Sequence, residues 1–163
     1  MPAGCSGTAG LYTCDTLTLA AGDTIALQAP LPAIITVKAN FTTASDCAVN
    51  ASGLSTSLTL YVKGKITIGS SNTLHAKIIG IQAVTLGEKV IVDGSITSTQ
   101  GDITVGASSE ISGHIASAAA VSLAADVKVS GNVTGAGKVT IDASAVIGQS
   151  RIVSRSWRQI FMR

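Results

Sequence analysis

Between residue 66 and about residue 147 the chain repeats itself every 18 or 19 positions, and that period restricts what it can fold into. The triplets ITI (66–68), VTL (84–86), ITV (103–105), VSL (121–123) and VTI (139–141) begin at Ile66, Val84, Ile103, Val121 and Val139, with spacings of 18, 19, 18 and 18. A second aliphatic column follows two residues on, at Ile68, Leu86, Val105, Leu123 and Ile141. A third lies eight residues on, at Leu74, Val92, Ile111, Val129 and Ile147. A fourth runs Ile78, Ile96, Ile115, Val133 and then slips, with Ile152 the nearest candidate. Between the columns a turn position recurs at Gly94, Gly113, Gly131 and Gly148, with Ala76 in the first rung. Glycine belongs where the chain bends sharply. Period-2 alternation inside each triplet points Ile and Val inward and Thr outward.

One such turn of chain cannot bury its own apolar side. Stacking turns at about 4.8 Å joins the inward residues into continuous ladders and pairs each backbone with the next. A sandwich or barrel would give turn signals every 8–12 residues or so but no fixed column identity. The sequence therefore predicts an all-β fold, a single-stranded β-solenoid (β-helix) of about 18 residues per turn and roughly triangular cross-section.

Composition agrees with stacked short strands. Hydrophobic residues make up 46% of the chain, aromatics 3% and charged residues 12%, the last about half the usual share for a soluble domain. Thr, Ser, Gly or a charge interrupts every apolar stretch, so no run of about 18 residues is available to span a bilayer as a helix. Four of the eleven basic residues (Arg151, Arg155, Arg158, Arg163) lie in the last thirteen positions. The remainder sets seven Lys against nine acids, 7 − 9 = −2, and offers no basic face for nucleic acid.

The N-terminal third is less regular. LTL (17–19), TIAL (24–27), IITV (34–37) and SLTLYV (57–62) read as strands, and residues 40–56 as an inserted or distorted turn. The expected organisation is an N-terminal cap with irregular first rungs over 1–57, regular rungs over 58–150 and a basic tail over 151–163. An open solenoid end exposes an unpaired strand edge, so a cap is expected. Cys5 and Cys14 bracket a short loop and suit a disulfide staple, leaving Cys47 over; three cysteines allow three pairings. A disulfide implies an oxidising compartment. The first ten residues lack the basic and apolar regions of a signal peptide, so an exported protein would have lost its signal. The tail RIVSRSWRQIFMR reads as a cap packing Trp157, Ile160 and Phe161 over the last rung, as an interface with another subunit, or as a reading-frame scar.

The phrase VSLAADVKVSGNV (121–133) resembles the bactofilins, polymer-forming bacterial β-helix proteins. The stretches GCSGTAGLYTCDTLTLAAGDTI (4–25), ITVKANFTT (35–43) and SLTLYVKGKITIG (57–69) are similar to solenoid segments of MshQ-like proteins of bacterial pilus and surface loci. These resemblances imply an exported surface protein, adhesin-like or filament-forming. Neither family supplies catalytic residues.

Chemistry is sparse. His75 and His114 fall at different phases of the repeat, with no cluster at metal-ligand spacing beside them. The acids are dispersed, although Glu88 with Asp93 and Asp102 with Glu110 could approach one another. GAGK (135–138) lacks the rest of a phosphate loop. Asn40, Asn50 and Asn132 each open an N-x-[ST] phrase, relevant only in a glycosylating pathway. The outward row Thr67, Thr85, Thr104, Ser122, Thr140 is the feature closest to a functional surface. Ice-binding solenoids use such hydroxyl rows, usually in parallel pairs, whereas here the second row is missing; cross-strand Thr pairing accounts for a single row. No cofactor, metal or catalytic residue is expected. The leading expectation is a non-enzymatic structural protein at the cell surface or outside the cell. Its partner is itself, in a head-to-tail homopolymer, and a place in a surface or pilus assembly is open to it. A monomeric adhesin or stalk, and an ice binder, are the alternatives.

Overall fold

The computed structural model describes residues 4–8, 10–27, 32–51, 53–148 and the backbone of 152–154. The strands fall into three sheets, the walls of a β-solenoid, and each turn of chain contributes one strand to each wall in the order A, B, C. Wall A contains Leu11–Cys14, Ala33–Val37, Leu58–Val62, Lys77–Gly80, Ile96–Ser98, Ile115–Ser117, Val133–Gly135 and Ile152–Ser154, all parallel, with Cys5–Thr8 added antiparallel at its N-terminal edge. Wall B runs from Leu17–Leu19 to Val139–Ile141 and wall C from Thr24–Ile25 to Val146–Ile147, seven parallel strands each. Among the described residues seven coils are thus present, and wall A carries one extra strand at either end.

Ile66, Val84, Ile103, Val121 and Val139 are successive register partners up wall B, and Leu17 and Phe41 extend that column below them. The columns starting at Ile68, Leu74 and Ile78 likewise stack, and Val133 pairs with Ile152. The inward side chains of these columns up to Val133 form one continuous buried core, with Val139, Ile141 and Ile147 half-buried against it. The physical cause is the one that makes the repeat necessary: a single coil cannot cover its own apolar side chains without counterparts one coil above and below.

The N-terminal third holds the same three walls, entered earlier than the sequence suggests. Phe41 follows Leu17 by 24 positions and Ile66 follows Phe41 by 25. The additional residues fall in the sequence between Ile25 and Ala33 and between Val49 and Leu58, and in the second interval a 3-10 turn spans Ser55–Ser57. A loop at a corner lengthens the coil without disturbing the ladders, because strand pairing fixes the walls and leaves the corner to solvent. The insertion expected over 40–56 therefore occupies only its second half; Phe41–Thr43 and Ala48–Val49 are regular strands. Cys5 and Cys14 are directly opposite one another and joined by a disulfide, while Cys47 is a buried free thiol.

The corner between walls B and C repeats a conformation with no common residue type. Gly22, Asp46, Ser71, Lys89, Ser108 and Asp126 occupy it in successive coils, all at positive φ, the five non-glycine residues between 56° and 60°. From the second coil on, the following residue turns inward, giving a buried column of Cys47, Asn72, Val90, Ser109 and Val127, whereas Asp23 after Gly22 is exposed. Its polar members tie adjacent coils together. Asn72 Nδ2 donates to Thr43 Oγ1 (2.7 Å), Ala44 O (2.8 Å) and Gly69 O (3.0 Å), and its Oδ1 accepts from the Cys47 amide. Ser109 Oγ accepts from the Val90 amide (3.1 Å) and donates to Gly87 O (3.2 Å). On wall A, buried Ser98 and Ser117 do the same for the next corner, donating to Gln82 O and Gly101 O. Among the described residues no buried side-chain polar atom lacks a partner.

Of the predicted glycine column, Gly94, Gly113 and Gly131 stack at the corner between walls C and A. Gly94 has φ +150°, and a Cβ there would lie 2.1 Å from Ala76 O; at Gly113 and Gly131 it would meet the carbonyl of the preceding glycine. Gly148 sits instead above Ser130, because Gly131 and Gly148 are only 17 residues apart while the strands keep a step of 18. Apart from the backbone of Ile152–Ser154, the tail from Arg151 and the cap foreseen for it lie outside the described residues.

Candidate functional site: an outward hydroxyl ladder on wall B

The predicted row Thr67, Thr85, Thr104, Ser122 and Thr140 is formed by direct register partners at the centre of each wall-B strand. It continues through Thr42 to Thr18, giving seven consecutive hydroxyls, every one exposed. Adjacent parallel strands lie about 4.8 Å apart, so the ladder presents an evenly spaced line of groups that both donate and accept. Sequence reasoning missed Thr18 and Thr42 because the longer first coils shift their spacing. The signal was nonetheless present, since LTL and FTT carry the same apolar–Thr–apolar or apolar–Thr–Thr pattern.

One flank of the ladder is nearly bare: Ala20, Ala44, Gly69, Gly87, Gly106 and Ala124 stack beside it before Asp142 ends the series. At Gly69, Gly87 and Gly106 a Cβ would come within 2.4–2.9 Å of the backbone of the coil below. In these three coils the backbones pass too closely for a side chain, whereas the coils carrying Ala20, Ala44, Ala124 and Asp142 admit one. The other flank carries Thr16, Asn40, Lys65, Ala83, Asp102, Ala120 and Lys138. Here Asn40 Oδ1 accepts from the Lys65 amide (3.0 Å) and Asp102 Oδ1 from the Ala120 amide (2.9 Å), holding two polar groups against the corner.

Elsewhere the predicted chemistry does not converge. His75 and His114 stand on different columns. His75 Nδ1 lies 3.4 Å from Asp93 Oδ2, and Ser112 Oγ donates to Asp93 Oδ1 (2.7 Å). His114 Nδ1 accepts from the Asn132 amide (2.9 Å). In the first group the carboxylate stands between imidazole and hydroxyl. The serine oxygen therefore contacts the carboxylate rather than the imidazole, which is not the Ser-His-Asp order. Glu88 lies at the corner between walls B and C and Asp93 at the end of a wall-C strand; Asp102 precedes wall B and Glu110 opens a wall-C strand. Asp142 is held below the ordinary carboxylate range by hydrogen bonds from the Ser144 amide and then the Ser144 hydroxyl. Asn40 is exposed, whereas Asn50 is buried with its Nδ2 donating to Leu54 O and His75 O. Among the described residues no group of three or more His, Cys, Asp or Glu could hold a metal ion, and no helix is long and apolar enough to cross a membrane. Comparison with protein-family models, with curated proteins and with solved structures found no match to this chain.

Proposed function

We propose that this chain is a non-enzymatic, exported structural subunit whose solenoids associate end to end into surface or extracellular filaments. The observation that carries the reading is the state of the seventh coil. Val139, Ile141 and Ile147 are only half-buried, whereas Val121, Leu123 and Val129, their partners one coil earlier, are buried in the core. Beyond Val139–Ile141 and Val146–Ile147, walls B and C present unpaired parallel edges among the described residues. An edge of this kind is a template for another strand, and a head-to-tail contact that does not close gives fibres rather than rings. The Cys5–Cys14 disulfide and the resemblance to pilus-locus solenoids support an oxidising, extracellular setting. Electron microscopy of purified protein over a range of concentrations, oxidised and reduced, tests this. Filaments are expected, and discrete single particles under every condition would sink the reading.

The hydroxyl ladder favours a second reading, a monomeric binding module that presents wall B to a flat periodic ligand such as ice. Thermal hysteresis of the purified protein separates the two, since end-to-end stacking leaves wall B free but does not by itself inhibit ice growth.

A further inference from the structure

The two ends of the solenoid do not match. Among the described residues wall A exceeds walls B and C by one strand at each end: Cys5–Thr8 at the first coil and Ile152–Ser154 beyond the seventh. Two copies meeting end to end would therefore touch first on wall A. Walls B and C would then be held about 14 Å apart, three inter-strand spacings where a continuous solenoid has one. The obstruction at the N-terminal end is a short element with little holding it. Cys5–Thr8 pairs antiparallel with Leu11–Cys14 through four residues, of which only Cys5 is buried. An isolated two-stranded ribbon is marginal in water. The disulfide joins the first and last residues of this hairpin, nine positions apart.

We infer that Cys5–Thr8 is a removable cap, kept closed by the Cys5–Cys14 clasp, and that the edge beneath it is a docking surface for a second copy of this chain. The inference rests on the end-to-end reading above and adds wall A as the surface on which the junction forms, with the wall-B and wall-C edges still apart across it. The edge of Leu11–Cys14 belongs to the parallel part of wall A, since it already pairs in parallel with Ala33–Val37 on its other side. The strand suited to it is the opposite edge of the same wall, Ile152–Ser154, which runs parallel to its neighbour Val133–Gly135. Adding the one to the other continues wall A across the junction by strand addition, in which main-chain hydrogen bonds supply the affinity. With the cap gone, walls B and C close from three spacings to two. The clasp sets how often this happens. A disulfide closing a loop of about ten residues shifts the closed-to-open balance of that loop by roughly a hundredfold.

Sedimentation velocity over a concentration series, on the wild-type protein and on Cys5→Ser/Cys14→Ser, tests the inference, with circular dichroism confirming that the solenoid is intact. The variant should assemble at roughly hundredfold lower concentration than the oxidised wild type, with amide exchange over Ser6–Thr13 accelerated by a similar factor. Adding Thr13→Pro removes an amide from the exposed edge and should abolish the gain. The Gly10 and Cys14 carbonyls accept from the Ile34 and Lys38 amides of the neighbouring strand, and the alternation turns the Thr13 amide toward the cap, so the ladder to Ala33–Val37 stays whole. Equal assembly of wild type and variant would overturn the cap while leaving end-to-end association standing. Unchanged exchange over Ser6–Thr13 would also overturn it. Absence of assembly in every form would remove the end-to-end reading and the docking surface together.

Discussion

Replacing Asn72 with valine separates the polar staple at the corner between walls B and C from the shape of the site. Valine fits, because Val90 and Val127 occupy the same buried column in other coils. The substitution takes the acceptor from the Cys47 amide and a donor from Thr43 Oγ1, Ala44 O and Gly69 O. A buried donor left without a partner costs about 1–3 kcal/mol, and the lost bonds to the three oxygens cost on the order of 0.5–1 kcal/mol each. Against a total of about 4 kcal/mol stands the burial of the valine side chain, about 1.5 kcal/mol. The expected net loss is therefore about 2–3 kcal/mol. Urea unfolding followed by circular dichroism reads it as a lower midpoint at unchanged slope. Thr43→Val should be partly redundant with it, with a coupling of about 0.5–1.5 kcal/mol in a double-mutant cycle, because Thr43 Oγ1 bridges Asn72 and the Gly69 amide. A loss under about 0.5 kcal/mol, or a gain, would refute the reasoning and show that water replaces the side chain at little cost.

Gly94→Ala should be among the most damaging single-methyl additions, above about 3 kcal/mol by urea unfolding. It forces a Cβ onto Ala76 O at a φ that only glycine adopts freely. Lys89→Gly should do the opposite and stabilise by about 0.5–1 kcal/mol, since Lys89 holds the positive-φ corner at 56°. Ile103→Ala, at a fully buried position in the middle of the wall-B ladder, should cost about 2–5 kcal/mol. Acid should loosen the seventh coil first. The Asp142 carboxyl is depressed in the folded state, so its contribution is present above the ordinary carboxylate range and lost as the pH falls through and below it. Amide exchange of Asp142–Ile147, corrected for the intrinsic rate, should rise there, and Asp142→Asn should remove that pH dependence.

How far the sequence could be read depended on whether a position faced the core or a corner. The ladders through Ile66, Val84, Ile103, Val121 and Val139 were legible because the inward face of a strand admits only apolar side chains. One column then fixes coil length, wall and outward row together. The same rule placed the hydroxyls from Thr67 to Thr140 on one line, and the spacing of Cys5 and Cys14 suited a staple. The corners followed no such rule. Gly22, Asp46, Ser71, Lys89, Ser108 and Asp126 share a backbone conformation and nothing in hydropathy. The buried column of Cys47, Asn72, Val90, Ser109 and Val127 mixes residue types because hydrogen bonds to the next coil satisfy its polar members. Loops between Ile25 and Ala33 and between Val49 and Leu58 stretched the first periods to 24 and 25 and hid Thr18 and Thr42 from the count. Sequence alone thus determined the period and the core, since burial acts on each residue separately. The corner network, the full length of the ladder and the unequal height of the three walls were decided only in the tertiary structure, because each depends on which backbone lies one coil away.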